Sequence, residues 1–107
     1  MSEQAATTER VSESPGGFGL FPLGRLVATP AAIDALAESG ETARPYLRRH
    51  LRGDWGELSA HDRLENDGAL GHRLRLLSAY SLQSGVKIWL ITEADRSATT
   101  ILLPDDY

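Results

Sequence analysis

Apolar residues recur every three or four positions through the first two-thirds of the chain and every second position after it. That change of period marks helices followed by strands. Three extended runs, Arg73–Leu82, Val86–Glu93 and Ala98–Leu103, are rich in Leu, Ile, Val, Thr, Tyr and Trp. Ser84-Gly85 suits a two-residue hairpin turn, and Ala94–Ser97 suits a four-residue connection. Those turns place Tyr80 opposite Trp89 and Ala79 opposite Leu90, then Leu90 opposite Ile101 and Trp89 opposite Leu102. One face of the meander is then wholly apolar: Leu77, Ala79, Ile88, Leu90, Ile101 and Leu103. It is expected to pack on helices. The other carries Ser78, Tyr80, Trp89, Ile91, Thr100 and Leu102, a mixed surface either covered by the Phe18–Phe21 segment or open for binding.

Upstream, Thr29-Pro30 is a helix start: a threonine able to cap, then a proline whose missing N–H costs nothing at the first helical position. This helix should end at Gly40 and bury Ile33, Leu36 and Ala37. A second helix from about Thr42 places Leu47, His50 and Leu51 on one face beside Tyr46, and stops at Gly53. After the tight Gly53-Asp54-Trp55-Gly56 connection, Ser59 caps a third, weakly amphipathic helix from Ala60 to Leu70, with Asp62 near its positive end. Arg25–Ala28 reads as a short extra strand. The expected fold is α+β, three short N-terminal helices packed on one face of a C-terminal three-stranded antiparallel meander.

Composition narrows the picture. The 107 residues fit one domain, running from residue 18 onwards behind a polar segment, residues 1–17, whose Ser, Thr, Glu, Pro and Gly favour a disordered tail. The absence of cysteine excludes disulfides and thiolate chemistry, and suits a cytoplasmic address. No run is apolar enough for a membrane helix. Of the net charge of −4, half sits in the first seventeen residues, where Glu3, Glu9 and Glu13 outnumber Arg10. The remainder is close to neutral, which fits neither a basic nucleic-acid binder nor a nucleic-acid mimic.

Several clusters could carry chemistry, and each has a bland counterpart. Arg48, Arg49 and Arg52 on the second helix could hold phosphate, RNA or an acidic partner; as a solvated helix face they are balanced by Glu38, Glu41, Asp54 and Glu57. Trp55 could be a stacking platform, or it could bury its ring and anchor the turn. His50, His61 and His72 lack the i, i+4 spacing of a helical metal pair, so neither metal nor cofactor is expected. Asp95 and Arg96 lie in a polar connection at a hairpin end. Glu93 with Arg73, Arg75 or Arg96 is the minimum for cleaving RNA without a metal, a base beside a phosphate clamp, and the candidates for that reading are Glu93, Arg73, Arg75, Tyr80 and one histidine.

The strings Gly53–Gly56 (GDWG), Leu76–Tyr80 (LLSAY) and Lys87–Tyr107 (KIWLITEADRSATTILLPDDY) resemble a family of short proteins carried on bacterial plasmids and other mobile elements. Its members are labelled plasmid-related protein or type I restriction endonuclease subunit M. A methylation subunit is large and holds a cofactor-binding fold, and this chain has neither that length nor that motif. The resemblance implies a small accessory protein that acts on a partner protein, in the setting of host–element conflict. Three hypotheses follow: a protein-binding module using Tyr80, Trp89 and the arginines; a ribonuclease or ribonuclease-like toxin of barnase-like architecture; and a transcriptional regulator, which the acidic balance disfavours. A homodimer could form through the edge of the Ala98–Leu103 strand or through the aromatic sheet face.

Overall fold

The computed structural model describes residues 19–107. The polar segment read as a tail, and Phe18, lie outside them. The order of elements is β1 (Arg25–Ala28), α1 (Pro30–Ser39), α2 (Arg44–Leu51), α3 (Ala60–His72), β2 (Leu76–Ser81), β3 (Lys87–Thr92) and β4 (Ala98–Leu102), with a closing 3-10 turn at Pro104–Asp106. The fold is α+β.

Local chemistry sets the helix ends. Thr29 Oγ1 accepts the Ala32 amide at 3.1 Å, and Pro30 opens α1. Gly40 ends α1 in the left-handed region at φ 71°, where the Gly40 and Glu41 amides return to the carbonyls of Ala37 and Leu36. Ser59 caps α3 through the Asp62 amide. α3 runs past both glycines, Gly68 and Gly71, and ends at Arg73, itself left-handed at φ 56°. α1 turns Ala32, Ala35 and Leu36 inward and leaves Ile33 and Ala37 exposed, a rotation of the expected face that puts small side chains against the sheet. α2 buries Leu47, His50 and Leu51 as expected.

The sheet has four strands in the order β1-β4-β3-β2. The expected extra strand, β1, pairs parallel to β4, so the edge of β4 considered for a homodimer is already occupied. The register of β3 on β4 is the expected one, with Trp89 opposite Leu102 and Leu90 opposite Ile101. That of β2 on β3 is shifted by one residue: Tyr80 faces Ile88, Ala79 faces Trp89 and Ser78 faces Leu90. The cause is the turn. Leu82, not Gln83, pairs with Val86, and the loop is the three residues Gln83-Ser84-Gly85, with the Gly85 amide on the Leu82 carbonyl at 2.8 Å and Gly85 at φ 97°. The amides of Gln83 and Ser84 are drawn off to Glu41 and Ser39, at the end of α1, at 2.8 and 3.2 Å.

A one-residue shift exchanges the two faces of β2. Leu77 and Ala79 therefore lie on the opposite side from Leu90 and Ile101, and Tyr80 on the opposite side from Trp89. The inner face presents Leu76, Ser78 and Tyr80 with Ile88, Leu90, Thr92, Thr99 and Ile101. The core forms where its apolar members meet Leu36, Leu47, Leu51 and Trp55. Phe21 belongs to this inner core and does not cover the outer face.

The free edge of β2 is sealed. Asn66 of α3 accepts the Leu77 amide at 3.2 Å and donates to the Leu77 carbonyl at 2.5 Å. Two residues along, the Ala79 amide donates to the Trp55 carbonyl, and the Glu57 amide to the Ala79 carbonyl. At Gly56 the backbone passes so near that a Cβ would fall 2.0 Å from the Ala79 carbonyl, which reserves the position for glycine.

Candidate functional site

The outer face of the sheet carries a layer of its own. Ala79, Ile91 and Leu102 are buried yet do not join the inner core. Half-buried Leu77 and Trp89 and exposed Val27 lie among them. The chain after β4 folds back over this layer. Asp106 accepts the Thr29 hydroxyl at 2.6 Å and the Leu103 amide at 2.9 Å, bonds that hold its carboxyl below the usual range. The anchored turn brings the Tyr107 ring edge-on to Trp89, with centroids 5.8 Å apart. Arg75 donates to the Tyr107 hydroxyl at 3.1 Å and faces Glu93 across the strands at 3.5 Å. At the other end of the face Glu57 accepts from Ser81 at 3.0 Å and pairs with Lys87 at 3.2 Å. The result is an apolar and aromatic patch between two exposed ion pairs.

The inner face is polar at its centre. His50 is fully buried; its Nδ1 lies 2.5 Å from Ser78 Oγ and its Nε2 2.9 Å from Thr92 Oγ1. Thr92 Oγ1 is 2.7 Å from Thr99 Oγ1, which donates to the Leu23 carbonyl at 2.8 Å. Desolvation, reinforced by the charge of Arg96, lowers the imidazole to about 3. The serine–imidazole contact has the distance of a nucleophile and its base, but a substrate cannot reach it, because both residues are 0 % exposed.

Of the remaining predicted residues, the structure turns most toward the fold itself. Tyr80 is buried, its hydroxyl donates to the Asp54 carbonyl at 2.6 Å, and burial pushes its phenol up to about 12. Arg49 lies over the Tyr80 ring and grips Asp54 at 2.7 and 3.4 Å. Trp55 is buried with its N–H on the Asp67 carboxylate at 3.0 Å, so its ring is an anchor and not a platform. Arg96 is buried and donates to the carbonyls of Leu74, Ala69, Glu93 and Ala94, closing the end of α3 against the β3–β4 connection. Asp95 caps the Ser97 amide at 2.9 Å. Arg48 on α2 and Arg52 at its C-terminal cap remain exposed.

The set Glu93, Arg73, Arg75 and Tyr80 does not converge. Glu93 and Arg75 meet on the outer face, Tyr80 points into the core, and Arg73 ends α3. Nor do Tyr80 and Trp89 share a surface; the aromatic partner of Trp89 is Tyr107. No family model, curated protein or solved structure matches the chain. Among the described residues no group of His, Asp and Glu is placed to hold a metal ion, and no helix is long and apolar enough to cross a membrane.

Sequence reasoning missed Tyr107 and Leu77 as members of the outer patch. The signal for Tyr107 was Pro104 followed by two aspartates, a helical-turn start directly after a strand. Leu77 was hidden by the register.

Proposed function

We propose that the protein is a small accessory factor, cytoplasmic and encoded by a mobile element, that acts by binding a partner protein through the outer face of its sheet. The observation that carries this reading is the arrangement of that face. Among the described residues, helices α1, α2 and α3 all contribute to the inner core, leaving Trp89, Leu77, Val27 and Tyr107 in partial contact with water, with Val27 41 % and Tyr107 71 % exposed. An aromatic and aliphatic centre rimmed by the pairs Arg75–Glu93 and Lys87–Glu57 has the anatomy of a modest protein interface. The resemblance of Gly53–Gly56, Leu76–Tyr80 and Lys87–Tyr107 to plasmid-borne proteins supports the setting in host–element conflict.

The test is affinity capture with the full chain beside Trp89→Ala and Tyr107→Ala, each first checked for native circular dichroism. A stoichiometric protein recovered by the parent and lost at least tenfold by both variants supports the reading. Recovery of none, or equal recovery by all three, overturns it. RNA cleavage is the weaker alternative, since only Arg75 and Glu93 of its four residues meet. Growth arrest on expression, relieved by Glu93→Gln in a folded protein, would put it first.

A further inference from the structure

The hydroxyl chain around His50 has one consistent direction. The Leu23 carbonyl can only accept, so Thr99 donates to it and must accept from Thr92. Thr92 then accepts from His50, which fixes the proton on Nε2 and leaves Nδ1 to accept the Ser78 hydroxyl. Five parts of the chain meet in this line: the segment before β1, α2, β2, β3 and β4. The rings of Phe21 and Trp55 close the remaining sides edge-on, with centroids 5.1 and 5.5 Å from the imidazole.

Among the described residues no anion faces the ring to stabilise a second proton. From the β3–β4 connection comes the cation Arg96, which repels it. β2 brings the Ser78 hydroxyl, while β3 and β4 bring threonine hydroxyls. The segment before β1 brings a carbonyl, the 53–56 connection brings Trp55, and the Asp67 carboxylate of α3 is taken by the Trp55 N–H. On α2 itself Arg49 is engaged outward by Asp54. No carboxylate is bonded to either ring nitrogen.

We propose that this line is an acid-sensitive clasp, holding α2 and the Phe21–Leu23 segment on the sheet only while the imidazole is neutral. The sign follows from linkage. In the opened state the ring titrates near its ordinary 6.5, and in the closed state near 3, so only the opened state takes up a proton between those values. The clasp is fully closed above pH 6.5 and loosens by up to about tenfold for each pH unit below it. Glu41 and Asp54, whose carboxyls hydrogen bonds hold below 4.5 and 3.8, act at lower pH. The window from 6.5 to 5 therefore belongs to the histidine.

Hydrogen exchange on the full chain, expressed as protection factors, reads the clasp directly. Between pH 7 and 5 the protection of Leu47 and Leu51 should fall by up to about tenfold per unit below 6.5, starting at pH 7 from a lower value than that of Leu90 and Ile101 on β3 and β4, because α2 opens before the sheet. His50→Gln, which can accept from Ser78 and donate to Thr92 but cannot titrate, should flatten that slope. An equal slope in both proteins, no slope in the parent, or protection at Leu47 and Leu51 equal to that at Leu90 and Ile101 at pH 7 overturns the clasp. Should His50→Gln not fold, nitrogen-15 shifts of the parent's imidazole decide. A neutral Nε2–H ring in the folded protein at pH 5 supports the proposal, and an imidazolium there overturns it.

Discussion

The two sides of this sheet are built on different principles. The inner side is closed: Leu76, Ile88 and Leu90 are fully buried, and even its polar members, Ser78, Thr92 and Thr99, are fully buried and joined with His50 in one hydrogen-bonded line. The outer side buries only its floor of Ala79, Ile91 and Leu102, and covers it with Trp89, Leu77 and the returning Tyr107, all partly in water. Substitutions inside should cost stability, and substitutions outside should cost binding. The difference also shows how a short domain can fold on one layer of helices and keep a hydrophobic patch on the other side.

The contrast can be broken in a definite order. Leu90→Ala removes a fully buried side chain at the centre of the inner face and should lower unfolding free energy by about 3–4 kcal/mol, read by urea denaturation. His50→Leu leaves the Ser78 and Thr92 hydroxyls buried without their ring partner and should cost about 2–3 kcal/mol at pH 7.5. The same variant should lose the parent's decline in stability between pH 6.5 and 5, because the depressed imidazole is its source. Asn66→Ala frees both backbone groups of Leu77 at the β2 edge. It should cost about 1–2 kcal/mol and raise the tendency to associate, measured by light scattering. On the outer side Trp89→Ala should cost no more than about 1 kcal/mol. Smallest of all, Arg75→Ala breaks a half-exposed ion pair and should move stability by less than about 0.5 kcal/mol. A Trp89 variant that unfolds the protein would erase the distinction between the faces.

How much of this was legible in the sequence depends on how far apart the deciding residues lie. Caps at Thr29, Gly40 and Ser59 act over three or four residues, and all were readable. So was the β3–β4 register, because the Glu93–Ala98 closure fixes it locally. The β2 register was not. Leu77 and Ala79 look more apolar than Ser78, and Ser84-Gly85 fits a two-residue turn as well as the last two positions of a three-residue one. The choice is made by His50, twenty-eight positions before Ser78, and by Ser39 and Glu41, which hold the loop amides. The burial of Arg96 is illegible in the sequence for a similar reason, since two of its acceptors, the carbonyls of Ala69 and Leu74, lie over twenty residues upstream. Face assignments follow the register, so the two-residue turn puts Tyr80 on the outer face, whereas the three-residue loop turns it into the core and leaves Tyr107 as the partner of Trp89.

The three-residue loop at Gln83-Ser84-Gly85 thus works as a parity bit for the meander. Its odd count decides which alternate side chains of β2 meet the helices and which meet water. Dropping a single codon there would leave composition, length and charge almost untouched, yet aim Tyr80 and Ser78 outward and strand His50 without its serine. A one-residue deletion at this hairpin should accordingly cost far more than its place on the surface suggests.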